Sequence, residues 1–297
     1  MNFRYAAEAA LFFLFMALFK LLGLDRASAL GGWIGRTVGP RLPSDRTARA
    51  NLAAAFPEKS AAGRDAIRLA MWDNLGRVVA EYPHLGRFSP HGPDARIAFD
   101  MRTALTPDAA RGQALMFLSG HFANWEMMPI LAQQLGYEGA TVVRPPNNPL
   151  VARYIARQRG LGGPKTQIAK HSALRRMIGV LKEGKALFML VDQKTNEGLA
   201  APFFGRAAMT TPAPAALALK LKAKIVIAAN RRVGGARFRV TVHPGPDFTP
   251  TGNEKHDIQA LTEIITARIE AIVRDDPAQW LWIHRRWPTQ KDRADGA

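Results

Sequence analysis

An α/β domain with a largely parallel central sheet, flanked by helices, is what this 297-residue chain predicts. Three observations carry that expectation. From about residue 114 onward, short apolar runs alternate with segments of helical periodicity, the rhythm of strand–helix–strand units. Polar and basic residues repeatedly close the apolar runs, which is where such sheets place ligands. Hydrophobic residues make up 47% of the chain, enough for one large core.

The elements follow in chain order. Residues 9–19 form an uninterrupted apolar run between Glu8 and Lys20. Residues 21–24 extend it toward the roughly 20 residues a spanning helix needs, provided Glu8 and Lys20 snorkel. Residues 1–25 are therefore expected to form a membrane anchor, either spanning or lying in the interface. A signal peptide competes with that reading, because Arg4 supplies a charged end and Ala27-Ser28-Ala29 resembles a cleavage site. Arg26, Arg36 and Arg41 follow the anchor, and this bias predicts a cytoplasmic position for the downstream domain. Residues 27–39 are small and glycine-rich, and Gly39-Pro40-Arg41-Leu42-Pro43 breaks any helix. Ser44 is placed to cap a helix through Phe56, and Ser60 one through Glu81. Residues 83–93 read as a loop. Strands are expected over residues 114–118, 141–143, 186–191, 224–229 and 237–242, and helices over 127–135, 150–159, 172–182, 213–221 and 258–273. In the last of these, Ile258, Leu261, Ile265, Ile269 and Ile272 trace an apolar stripe. One domain over residues 26–290 results, with a polar tail at 291–297 expected to be flexible.

Composition narrows the function. There is no cysteine, which excludes a disulfide scaffold, a thiolate zinc site and a cysteine nucleophile. Lys plus Arg outnumber Asp plus Glu by 41 to 24, a net charge of +17 that favours phosphate-bearing or acidic partners. Neither a GxGxxG fingerprint nor a Walker loop is present, so dinucleotide and ATP chemistry are disfavoured.

The most informative stretch is Ser119-Gly120-His121-Phe122-Ala123-Asn124-Trp125-Glu126, between a predicted strand and a predicted helix. A neutral imidazole can take a proton from an alcohol near neutral pH, and a nearby carboxylate can fix its tautomer. A capping turn with a solvated histidine is the plain alternative. The helical zinc motif would need a second histidine one turn on, but the next is His171, so no metal site is expected. Three further segments close apolar runs. Arg144-Pro145-Pro146-Asn147-Asn148-Pro149 is a stiff loop whose guanidinium can hold a phosphate or oxyanion, and Arg153, Arg157 and Arg159 follow it. In Val191-Asp192-Gln193-Lys194 the aspartate can orient the histidine or an arginine, or cap the next turn. Phe203-Phe204 lie in a loop where they can line an apolar slot or anchor the core, ahead of Thr210-Thr211-Pro212 and a helix start able to bind negative charge. Finally, Trp280-Leu281-Trp282-Ile283-His284-Arg285-Arg286-Trp287 would, if extended, put Trp280, Trp282 and His284 on one face.

Taken in order, SGHFANWE, RPPNNP, an arginine-rich helix, VDQ, PFFGR, MTTP and QWLWIHRRW resemble the lipid A late acyltransferases, the lauroyl and myristoyl transferases of the bacterial lipid A acyltransferase family. The resemblance runs from the apolar amino-terminal segment to about Thr289. It implies a glycerolipid-acyltransferase-like fold and an inner-membrane enzyme with a cytoplasmic active site and no cofactor. Such an enzyme transfers a fatty acyl group from acyl-carrier protein to a hydroxyl on a 3-hydroxyacyl chain of a phosphorylated glycolipid, the lipid A precursor. By motif matching, His121 is the base, Glu126 its carboxylate partner and Arg159 the functional arginine, with Arg157 as second choice. Arg144, Asn147, Asn148, Arg157, Asp192, Gln193, Phe204, Thr211, His284 and Arg285 are the matched candidates for substrate binding. Lys194 stands where relatives frequently carry an acid, which changes the local charge. Two rivals remain: the same chemistry on another lipid acceptor, and a membrane-tethered binder of anionic ligands or nucleic acid. The second leaves the His–Glu turn without a role, and no nucleic-acid motif is present, so nucleic acid is not an expected partner.

Overall fold

The computed structural model describes residues 3–169 and 173–287. Four helices open the chain: α1 (Phe3–Leu22), α2 (Leu24–Val38), α3 (Ser44–Ala55) and α4 (Ala61–Glu81). There follow β1 (Ile97–Met101), α5 (Pro107–Ala110), β2 (Leu115–Ser119), α6 (Met127–Gln134), β3 (Gly139–Val143), α7 (Pro149–Gly162), β4 (Thr166–Ala169), α8 (Ala173–Lys182) and β5 (Ala186–Leu190). The remainder comprises β6 (Leu199–Phe203), β7 (Arg206–Thr210), α9 (Ala213–Leu221), β8 (Lys224–Gly234), β9 (Arg237–Pro244) and α10 (Glu254–Asp275).

Seven strands form one sheet in the order β1-β9-β8-β2-β5-β3-β4. Every neighbouring pair is parallel except the β8–β9 hairpin. Strand β2 is buried at all five positions, the uniform apolarity of a parallel strand covered on both faces. Its side chains alternate between two cores. Met116 and Leu118 pack in one with Leu187 and Met189 of β5 and Ile227 of β8. Leu115 and Phe117 pack in the other with Phe188 of β5 and Val226 of β8. The α/β class and the largely parallel sheet are as the sequence predicts.

Several local expectations give way. Residues 27–39 are helical in α2, although glycine is a poor helix former. The glycines serve an approach between α2 and α4: a Cβ on Gly35 would come 2.1 Å from the Trp72 carbonyl oxygen, and one on Gly76 2.0 Å from that of Gly31. Tertiary contact thus outweighs propensity. Ala27 and Ser28 are fully buried in the same packing. Ser60 accepts from Gly63 N as a cap should, whereas Ser44 lies inside its helix, after Pro43. The start of the 83–93 loop is a 3-10 helix, Tyr82–Arg87. The expected loop around Phe203 and Phe204 is the turn of the β6–β7 hairpin, with φ of 52° at Phe204 and 68° at Gly205. Residues 280–287 are not a strand; Trp280 makes one antiparallel bridge to Phe122 and the chain then turns. The predicted start of α8 at Ser172, and the tail, lie outside the described residues.

Candidate active site

The sheet's carboxyl edge is where β2 and β5, side by side, release their chains into the site. Beyond β2, His121 N donates to Asp192 Oδ2 at 2.7 Å, and His121 Nδ1 lies 2.8 Å from Asp192 Oδ1. Trp280 Nε1 donates to the same carboxylate at 2.7 Å. Burial pushes the Asp192 pKa up, but the His121 ring and these donors outweigh it and hold the group down at about 2. An ionised carboxylate can only accept, so Nδ1 carries the hydrogen, and in the neutral ring the lone pair is then on Nε2. That lone pair faces Gln193, whose Nε2 lies 3.2 Å away. Trp125 meets the imidazole edge-on, with centroids 5.1 Å apart.

Glu126 is turned to a different partner from the one expected. Its Oε1 accepts from Arg159 Nε at 2.9 Å, Arg159 Nη2 at 2.8 Å and Tyr82 Oη at 2.7 Å. The carboxylate bracing the imidazole is therefore Asp192, which the strand register delivers to His121, while Glu126 is bound up with Arg159. Burial works against the charge on Arg159, yet Glu126 and Tyr82 keep its pKa above the usual arginine range. Burial first, and then the Glu126 charge, push the Tyr82 phenol well above its ordinary value. Behind this pair, Asn124 accepts from Glu126 N at 3.1 Å and donates to Glu81 Oε2 at 2.9 Å. Glu81 is fully buried and ion-paired with Arg232.

These groups open into a cleft of about 580 Å³, well within the size range of small-molecule sites. Its lining brings together polar groups, His121, Glu126, Arg144, Arg159, Gln193 and His284, and apolar ones that include Met128, Val142, Met177, Phe188 and Met189. Asn147 and Thr211 also line it. The His284 ring centroid lies 5.8 Å from that of His121. It stays accessible from the cleft, but loss of bulk solvent, followed by the neighbouring His121 and Arg144, lowers its pKa. Among the described residues, no group of three His, Cys, Asp or Glu side chains could hold a metal ion.

A match to the model for bacterial lipid A biosynthesis acyltransferases covers residues 2–289. The chain belongs to this family. It is similar to the Escherichia coli (strain K12) lipid A biosynthesis palmitoleoyltransferase, with 27% identity over 278 residues, covering 88% of this chain and 84% of the relative. The Shigella flexneri lipid A biosynthesis acyltransferase shows the same identity and coverage.

Five candidates of the acyltransferase lie outside the cleft lining, of which Asp192 reaches it through His121. Asn148 caps α7 by accepting from Leu150 N, and donates to Tyr5 O. Arg157 and Arg285 are exposed to solvent, so of the two arginines considered on α7 it is Arg159 that reaches the site. Phe204 is a core anchor, set edge-on to Phe56, Phe203, Trp282 and Trp287. The sequence reading also passed over Tyr82, Glu81, Arg232 and Trp280 as partners, because their contacts cross 43 to 151 residues. One signal was available: Glu81 closes a helix whose other face is apolar, and a buried carboxylate needs a partner. Arg286, in the same segment as Trp280, is 1% exposed. It donates to Met209 O and Thr210 Oγ1 and stacks on Phe203. Burial lowers its pKa to about 10, which leaves it charged at neutral pH.

Proposed function

We propose that this acyltransferase moves a fatty acyl group from an acyl-carrier-protein thioester to a hydroxyl of a 3-hydroxyacyl chain on a lipid A precursor. The observation that carries the reading is His121, tied through Nδ1 to a buried carboxylate while its ring lines a cleft of mixed polar and apolar walls. An apolar wall suits a fatty chain, and the arginines suit acceptor phosphates or a developing oxyanion.

The reaction runs in two stages. The acceptor hydroxyl displaces the Gln193 amide from Nε2 and gives up its proton to it as its oxygen attacks the thioester carbon. Asp192 stabilises the imidazolium that forms. The tetrahedral oxyanion is met by Arg144, and it collapses with cleavage of the carbon–sulfur bond. The thiolate takes the proton from His121, leaving an ester on the lipid and a free carrier thiol. Glu126 acts through Arg159, holding that guanidinium at the cleft wall rather than touching the reacting atoms. Residues 1–25 keep the site at the inner membrane, on the cytoplasmic side where the carrier thioester is available.

Purified full-length protein, given acyl-carrier-protein thioesters and a lipid A precursor, should yield a singly acylated product by mass spectrometry. His121→Ala should lower turnover about 10²–10⁴-fold. Near-normal turnover in that variant would overturn the mechanism. Transfer confined to a lysophospholipid or an ornithine lipid would overturn the acceptor.

A further inference from the structure

Helix α1 carries two apolar stripes. Ala9, Met16 and Phe19 are buried against the domain, with Phe12 packed beside them. Leu11, Leu14, Phe15, Leu18 and Leu21 point the other way, with Leu14 67% and Leu21 86% exposed. Spacings of three and four residues make each set one face of the helix.

The inner stripe is fastened to the domain along its length. Asn148 Nδ2 donates to Tyr5 O at 2.8 Å. Tyr154 of α7 meets Phe12 and Phe13 edge-on, with centroids 5.5 and 5.6 Å apart. His84 Nε2 lies 2.9 Å from Phe19 O, and Lys20 Nζ donates to Pro83 O at 3.0 Å. Tyr5 and Lys20 are separated by about 22 Å of helix, while hydrocarbon is about 30 Å thick. A spanning α1 would have to abandon these contacts or carry α7 into lipid with it. Exposed Arg153 and Arg157 on α7 forbid the second course, since hydrocarbon excludes unpaired charge.

Charge points the same way. Residues 139–182, which include α7, contain six arginines and three lysines but no Asp or Glu, so nine of the +17 net charges fall within this stretch. Arg159 is paired with Glu126, but Arg153 and Arg157 of α7 are exposed, and anionic headgroups are their complement.

We propose that α1 is a monotopic anchor lying flat in one leaflet of an anionic bilayer. Its outer stripe sits at the headgroup–acyl boundary and the exposed α7 arginines sit among the headgroups. The Arg144–Asn147 loop lines the cleft and directly precedes α7, so this wall of the cleft lies near the lipid surface. A lipid acceptor could then enter without leaving the leaflet.

The chain has no cysteine, so single cysteines report cleanly. Full-length Arg4→Cys and Glu254→Cys, in sealed right-side-out and inside-out vesicles, should react with an impermeant maleimide from the same side. Reaction of Arg4→Cys from the opposite side would overturn the proposal. Spin labels at Leu11→Cys and Leu18→Cys, in phosphatidylcholine–phosphatidylglycerol nanodiscs, should lie at equal depth. A spanning helix would separate them by about 10 Å, and labels broadened by a second copy and shielded from lipid would equally sink the idea. Neither measurement reads catalysis, so failure here leaves the transfer reaction standing.

Discussion

At the residue scale, two carboxylates that both touch the site have separable tasks. Asp192 accepts from His121 Nδ1 and, in the proposed reaction, balances the imidazolium charge in the transition state. Asp192→Asn should therefore lower kcat about 10²–10⁴-fold with little change in KM. Folding depresses the Asp192 pKa to about 2. Its stabilising contribution is thus complete above about pH 4 and disappears as pH falls through about 2. Acid-unfolding curves of the wild type and Asp192→Asn should differ at neutral pH and converge near that lower limit. Glu126→Gln instead strips the counter-charge from Arg159, whose side chain is 16% exposed. Breaking a buried pair from one side costs about 3–5 kcal/mol, which a urea midpoint would register. Partial exposure of the arginine places the expected loss at the lower end.

The elements show where local patterning suffices and where it does not. Strands β2 and β5 and helix α10 are legible because long apolar runs and a 3.6-residue stripe report burial directly. Helix α2 is not, since the feature that obscures it, three glycines in thirteen residues before Gly39, is understood only beside α4. Gly76→Ala should separate α2 from α4, because the added methyl has no room against the Gly31 carbonyl. Overpacking of this kind costs about 1–3 kcal/mol, measurable as a lowered thermal midpoint. Phe204 shows the reverse difficulty. Apolar residues lining a slot and apolar residues filling a core look identical in sequence, and only the hairpin turn sends this ring inward.

On the scale of the whole molecule, the +17 charge should steer an acidic carrier toward the site. With an acyl-carrier-protein donor, kcat/KM should fall as ionic strength rises from 0.01 to about 0.15 M and the Debye length shrinks from about 30 to about 8 Å. A short uncharged thioester donor should show no such fall, and equal sensitivity of both would refute electrostatic steering. Much of the catalytic neighbourhood was written locally: His121, Arg144, Asp192 and Gln193 each close or follow an apolar run, and parallel strands bring such ends to one edge. Fold class, the apolar helix at the start of the chain and the basic balance likewise follow from composition and period, because burial and charge are properties of each residue type. Which carboxylate meets the imidazole was settled only in three dimensions, by the β2–β5 register and the Tyr82–Glu126–Arg159 cluster. Partner choice depends on side-chain direction and on contacts between segments far apart in the chain, and no local pattern encodes either.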